Sequence, residues 1–503
     1  MLKIEGRLKY ERRFVWIVAF LLFGGILFGT GTVFSGWHLV DDHETVRIVE
    51  LYRNKGIFWG TCYLDWLQSD MSHRWRPLYW LLRVWEAYLF GWNSVIPNIL
   101  LCLEGIVTYV LLYWAARYLS CNAVISHMFS MIIIFGRQFE VWYRIANQEN
   151  VGLLLLALTL YLLTKQYFQK KYENIGLDAG ILSVGILCSC MKESFVLLLP
   201  VIVLLRVGLE SIAVDDGKFN LFRKCRKNLA FILIGGFAFV AHLYIIIFSV
   251  GTNKIGYAGI DPESTFKDYI WKMQRMCRDS LKIYVLLGFV IILLSLISIM
   301  VEKKAFWKNK LWGLLIIAGS YIIFSQMILH AKSDMWDRYL IPGIVGYAMV
   351  FIAGMSLLMH KIQIKNICYT ILAIFLITRL WMAAGHMSYN YALEGRDTKQ
   401  LFDIIFNNTK NSSVIVTDLQ DEEKDMSLCI FLELQGRENG YIYDTEARNF
   451  VGGYNEDEGL RDFSAVDVYI TRPKVENSCM KNSDEILKWK LYNIHDRYLI
   501  YVK

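Results

Sequence analysis

Long apolar runs recur through the first three quarters of this chain, and they constrain its fold more than any other feature. They lie near Phe14–Phe34, Val95–Ala116, Ala123–Phe135, Val151–Thr164, Ala179–Cys190, Ser194–Leu205, Leu229–Val250, Ile283–Val301, Leu311–Leu329, Tyr339–Met359 and Ile367–Trp381. A helix needs about 20 mainly apolar residues to cross a bilayer, so these runs predict about eleven spans, several with soft ends. Composition agrees: apolar types make up 55% of 503 residues and charged types 20%, where a soluble domain has roughly 25% charged. The 16 Trp and 29 Tyr suit positions at the headgroup level, where an amphipathic ring is favoured.

The charges supply a direction. The net charge is +7, and since residues 391–503 sum to −7, residues 1–390 carry +14. A nucleic-acid binder would gather such an excess on one soluble face, but here much of it sits in short loops between apolar runs. The first run follows Lys3, Arg7, Lys9, Arg12 and Arg13. It is too long for a signal peptide and lacks a small-residue cleavage site, so it reads as an uncleaved anchor with a cytoplasmic N-terminus. Alternation then makes 165–177, 206–228, 302–310 and 360–366 cytoplasmic. Each is basic, with Lys165/Lys170/Lys171, Arg223–Lys227, Lys303/Lys304/Lys308/Lys310 and Lys361/Lys365, as the positive-inside rule requires. An odd number of spans leaves the acidic C-terminal part outside. The expected organisation is a transmembrane domain over 1–390 and a soluble extracytoplasmic domain over 391–503, in the plasma membrane.

The ten cysteines are scattered and show no zinc-site spacing. Cys188 and Cys190 read as small buried hydrophobes; Cys429 and Cys479 fall in the soluble part, where a bond between them is not the expectation. That part alternates strands (Ser413–Thr417, Ala465–Ile470, Tyr498–Val502) with helical stretches (Thr398–Phe406, Ser483–Leu487), a small α/β layer. Gly452-Gly453 is too weak a signal for a phosphate loop.

Three external segments stand out: the long first loop 35–94, the segment 251–282 with its Lys and Arg residues, and Lys332–Tyr339. Loops on a rigid scaffold commonly carry function. Asp41-Asp42-His43-Glu44 follows the first span. Asp42 there is either a helix N-cap or a general base, and a capping carboxylate can be both. Arg76, before Pro77 and an amphipathic stretch Tyr79–Trp92, is either an interfacial anchor or a phosphate ligand. Lys192-Glu193 interrupts an apolar run as a surface turn or a buried pair, a functional candidate at such depth. Arg338-Tyr339 opens a later span on the same side. Gln138, Glu140, Arg144 and Glu149 read as an ordinary solvated loop first and as part of the same polar site second. A carboxylate cluster and several cations on one side suit a substrate with a phosphate and a hydroxyl acceptor.

In their order and sidedness these motifs resemble the GT-C class membrane glycosyltransferases, such as the protein O-mannosyltransferases and the bacterial transferase that adds aminoarabinose to lipid A. The resemblance covers roughly 14–385. It implies a GT-C-like α-helical polytopic fold and a sugar donor carried on a polyprenyl phosphate. It also implies an Asp of the first external loop as base. Asp41 or Asp42 takes that role, while Glu44, Arg76, Lys192, Glu193, Arg338 and Tyr339 bind substrate and 251–282 covers the donor lipid. No cofactor is required, although Asp41, Asp42 and Glu44 offer oxygen ligands to a divalent cation. The alternative is a transporter or flippase of lipid-linked saccharides, against which stand the absence of an internal repeat and the one-sided polar sets.

Overall fold

The structure is a computed structural model that describes residues 2–119, 121–214, 225–250, 265–279, 281–282, 284–285, 288, 310–331, 337–358, 365–444, 449–452, 463–473 and 486–503. The expected span Ile283–Val301, the loop 302–310, the 251–264 part of the segment 251–282, residues 332–336, Arg223-Lys224, most of the loop 360–366, Ser483 to Glu485 and Cys479 lie largely or wholly outside them.

The described helices, in chain order, are α1 (Leu2–Leu27), α2 (Asp42–Ile48), α3 (Trp59–Met71), α4 (Pro77–Phe90), α5 (Val95–Tyr118), α6 (Ala123–Ile134), α7 (Glu149–Gln169), α8 (Ile175–Ser189) and α9 (Glu193–Val196). Then come α10 (Leu199–Ala213), α11 (Leu229–Tyr244), α12 (Phe266–Asp279), α13 (Lys310–Ala331), α14 (Ile341–Leu358), α15 (Lys365–Leu376), α16 (Met382–Asn408) and α17 (Glu422–Leu434). Seven helical segments among the described residues are long and apolar enough to cross a membrane, so the chain is a multi-pass membrane protein. Their outward faces carry exposed apolar side chains, such as Phe237 and Val240 of α11 and Ile317 and Phe324 of α13. In α1, Phe14, Ile17, Phe20 and Leu21 are similarly exposed, as contact with hydrocarbon would leave them.

The chain divides into two compact units. One holds 1–29, 65–81 and 100–388; the other holds 30–64, 82–99 and 389–503.

The first unit is the helical one. The α13–α14 pair packs closely because two glycines face each other. A Cβ on Gly319 would stand 2.4 Å from the Gly346 carbonyl oxygen, and one on Gly346 would stand 2.5 Å from that of Gly319. Without side chains at those points, the backbones meet. Side chains satisfy several helix ends: Asn122 accepts from the Ile125 N–H at 2.8 Å, and Asn174 from the Leu177 N–H at 3.1 Å.

At twelve residues, α6 is too short to cross the bilayer alone. It ends in a buried 3₁₀ turn, Arg137–Trp142, where a solvated loop was expected. The reason is Gln138, which is 2% exposed. Its Nε2 donates to the carbonyls of Ile132, Ile133 and Phe135 at 3.0, 3.2 and 2.6 Å. The Tyr284 hydroxyl also donates toward the Ile132 and Phe135 carbonyls at 3.3 and 3.4 Å, and carbonyls at a helix end would be costly to bury without such partners.

The second unit holds a six-stranded sheet in the order β3-β2-β1-β4-β6-β5. The strands are β1 (Ile415–Asp418), β2 (Gly440–Asp444), β3 (Asn449–Gly452), β4 (Val468–Thr471), β5 (Lys490–Ile494) and β6 (Tyr498–Val502). β1 runs parallel to both β2 and β4, and the outer pairings are antiparallel. The central strands β1 and β4 are buried along their length, as a covered parallel pair requires. A side-chain knot closes the turn after β1. Asp425 accepts from the Thr417 hydroxyl and from the Leu419 N–H at 2.9 Å, and burial raises its carboxyl above the usual range.

The same core takes in residues from far upstream. Leu39 and Val46 sit in one buried cluster with Leu401, Ile415, Phe431 and Ile470, and Trp37 and Trp92 pack against it. The segment after the first span is therefore part of the sheet-bearing unit. Residue 390, the expected end of the membrane part, falls inside α16.

Candidate functional site

The two halves of the expected site belong to different units: Asp41, Asp42 and Glu44 to the sheet-bearing unit, and Arg76, Lys192, Glu193, Arg338 and Tyr339 to the helical one.

The acidic segment is held in a strained turn. Asp41 has φ 66° and ψ −42°, and the Asp42 N–H donates to the Val40 carbonyl at 2.8 Å. This is the rare γ-turn with positive φ, disfavoured for any residue with a Cβ. Val40 before it also has positive φ, at 73°, which is worse still for a β-branched side chain. Such strain persists only where the surroundings hold it. Here the Val40 N–H donates to the Ser427 hydroxyl of α17 at 3.0 Å. The Asp42 carboxylate, 2% exposed, accepts from the His38 N–H at 2.9 Å.

This geometry corrects the reading of Asp42 as N-cap. Asp41 occupies that position without a capping side-chain bond, and Asp42 is the first helical residue. Both acids and Glu44 still stand at the N-terminal end of α2, where the helix dipole favours negative charge. Burial lowers the His43 pKa, against the nearby Asp41 charge, so its imidazole is favoured neutral.

In the helical unit the cations converge. Lys192, 3% exposed, forms an ion pair with Glu149, 2% exposed. The Lys192 ammonium lies 3.7 Å from the Tyr339 ring centroid, and the Arg338 guanidinium lies over the same ring at 5.2 Å. Arg338 also donates to Asn147 at 2.7 Å and lies 3.9 Å from Glu140, which Arg144 approaches at 3.7 Å. Desolvation holds the Lys192 pKa below the usual lysine range. Glu149 opposes that shift, and Arg74 and Arg338 add to it as like charges. Lys192, Arg338, Arg144 and Arg74 thus share this region with Glu140, Glu149 and Glu193.

The turns that carry these residues are tied together. Glu193 accepts from the Trp75 N–H at 2.6 Å, and the Leu78 N–H donates to the Cys190 carbonyl at 3.1 Å. Arg76 makes a two-pronged ion pair with Asp70, at 2.8 and 2.9 Å, and stacks over Tyr79 and Trp80. Its fork holds the Arg-Trp-Arg turn in shape, while Arg74 of that turn acts on Lys192. Sequence reasoning assigned the phosphate role to Arg76 and gave Arg74 none. Of the two readings of Glu149, a solvated loop or the polar site, the structure places it in the buried pair with Lys192. The signal that marks it is a dense polar run, Asn147-Gln148-Glu149-Asn150, abutting an apolar helix.

The helical unit also holds an apolar cavity of about 330 Å³, lined by parts of α12, α13 and α14 together with Tyr284, Val285 and Gly288. Gln326 lines it and donates to the Ser194 carbonyl at 2.8 Å, two residues from Lys192. Leu340 lines it two residues after Arg338.

Among the described residues no three His, Cys, Asp or Glu side chains are grouped as metal ligands. Cys188, Cys190 and Cys429 are free thiols.

No family model matches the chain, and no curated protein matches it. Among solved structures it is similar to the crystal structure of ArnT from Cupriavidus metallidurans bound to undecaprenyl phosphate, at 10% identity, with a TM-score of 0.47 and 97% of each chain covered. It is likewise similar to apo ArnT from the same organism, at 11% identity and a TM-score of 0.44, again over 97% of each chain. Likeness at that level speaks to neither substrate nor chemistry.

Proposed function

We propose that this protein is a membrane glycosyltransferase that moves a sugar from a polyprenyl-phosphate donor to an extracytoplasmic acceptor. The observation that carries the reading is a mainly apolar cavity of about 330 Å³ whose wall includes Leu340, two residues after Arg338, and Gln326, bonded to the Ser194 carbonyl two residues after Lys192. A lipid phosphate has one charged end and one hydrocarbon end, and this pair of environments suits both. Ammonium and guanidinium groups shielded from water favour a phosphate, because such interactions are little screened there.

In the proposed reaction, Asp41 or Asp42 accepts the proton of an acceptor hydroxyl as its oxygen attacks the anomeric carbon. The bond from that carbon to the phosphate oxygen breaks, and the lipid phosphate leaves with the electron pair. Lys192 and Arg338 stabilise its added charge, with Arg74 assisting. Glu149 and Tyr339 hold the Lys192 ammonium in place, and Glu193 and Arg76 shape the turn behind it. The scheme needs no metal, although a divalent cation on the acidic segment is compatible with it. The N-terminus is cytoplasmic in this proposal, and the sheet-bearing unit lies outside.

The test is thermal stabilisation of the whole protein in nanodiscs by polyprenyl phosphate, compared with the uncharged polyprenol. Stabilisation is expected from the phosphate alone, and Lys192→Met/Glu149→Gln should sharply reduce it while leaving the protein folded. Equal stabilisation by both lipids would contradict the phosphate site.

A further inference from the structure

A second cavity, of about 400 Å³, lies wholly within the sheet-bearing unit. That size falls in the range of roughly 300–1,000 Å³ common for small-molecule sites. Its wall is mainly aromatic. Trp37 and Trp92 meet edge to face at 6.3 Å, and Phe402 stacks on Phe406 at 5.9 Å and tilts against Phe431 at 5.3 Å. Both indole N–H groups are already committed, Trp37 to the Trp92 carbonyl and Trp92 to Glu50. The rings therefore offer the cavity carbon surface. Lys399, Asp403 and Gln435 are exposed and line the same cavity, adding a cation, an anion and an amide to the aromatic wall.

We infer that this cavity binds a saccharide. A pyranose ring has a C–H-rich face, which packs on aromatic carbon, and an edge of hydroxyls that needs both donors and acceptors. Rigid aromatic walls with a few polar groups meet both demands. An acyl chain needs neither a carboxylate nor an amide, and apart from Val95 the wall has no aliphatic side chain. As a sugar site the cavity stands on its own lining. As the place where an acceptor glycan docks it rests on the transferase reading, and it gives the sheet-bearing unit a direct part in choosing the acceptor.

The experiment uses the whole protein in nanodiscs free of sugar detergents. The probes are the methyl glycosides of glucose, mannose, N-acetylglucosamine and glucuronic acid. Saturation-transfer NMR should show at least one of them bound through its ring C–H protons, with no donor lipid present. Asp403→Ala/Gln435→Ala changes only exposed residues and should weaken that binding at least tenfold. Phe402→Leu, which nearly conserves volume, should weaken it through lost stacking. Absence of transfer to all four probes, or binding unchanged in both variants, would overturn the inference. So would capture of a phospholipid acyl chain by a photoreactive aromatic at position 406. Sugar binding without enzymatic transfer would sustain this site while counting against the transferase reading; transfer without sugar binding would do the reverse.

Discussion

Lys192 is both a structural partner and a proposed ligand, and the two roles predict different things. Removing one member of a buried ion pair leaves an uncompensated charge and costs about 3–5 kcal/mol. Lys192→Ala therefore reports on folding first. Lys192→Met/Glu149→Gln removes both charges at similar volume, so the helical unit should stay folded. Losing a charge-assisted contact of about 1.5–3 kcal/mol should raise the donor KM by about 10–100-fold, and steady-state kinetics measures it. The pH dependence has a defined sign. Because the folded Lys192 pKa is lowered, its charge is lost as pH rises through a range below that of an exposed lysine, and donor affinity falls with it. Lys192→Arg stays charged throughout. It should abolish that alkaline fall, which a binding titration from pH 6 to pH 10 would reveal.

The elements have a similar division of labour. The γ-turn at Asp41 is strained, and the Ser427 hydroxyl of α17 is what receives the Val40 N–H beside it. Ser427→Ala leaves that N–H without its acceptor, at about 1–3 kcal/mol. It should lower kcat while leaving the donor KM unchanged, since no donor-binding residue is touched. Unaltered kcat would show that the turn holds itself. In the helical unit, Gly319→Val or Gly346→Val forces α13 and α14 apart. Overpacking of this kind costs about 1–3 kcal/mol. It should also spoil the apolar cavity, because Ile323, Gly343 and Tyr347 of the same helices line it. A lowered Tm together with lost lipid stabilisation is the expected result.

At the scale of the whole molecule, the membrane helices were legible because crossing a bilayer demands long apolar runs, and composition alone reveals those. Of the expected spans, Leu229–Val250 matches its observed segment, and Val95–Ala116 and Leu311–Leu329 lie within a few residues of theirs. The sheet was legible only where strands are continuously apolar, in β1, β4 and β6. β2 and β3 are outer strands rich in Gly, Asn and Asp, and β5 is a half-exposed edge whose pattern resembles a loop. Lys192, Glu193, Arg338 and Tyr339 could be read because charge interrupts or abuts an apolar run there. Glu149 is marked only by the polar run at the start of its helix, and Arg74 could not be read, since its importance lies in a long-range partner. The assignment of 30–64 and 82–99 to the sheet-bearing unit was equally hidden, for it depends on Leu39 and Val46 joining a core some 400 residues downstream in sequence. Topology gives a prediction at this scale. A periplasmic-type phosphatase fused after Lys503 should be active, and one fused within the basic 165–177 loop should be inactive.

The central claim is sugar transfer driven by a carboxylate of the first external loop. It is tested most directly by transfer from a radiolabelled polyprenyl-phosphate sugar, comparing the native protein with Asp41→Asn and Asp42→Asn. A general base contributes about 10²–10⁴-fold to rate, so at least one variant should lose that much turnover while still binding polyprenyl phosphate. Full activity in both variants would contradict the account.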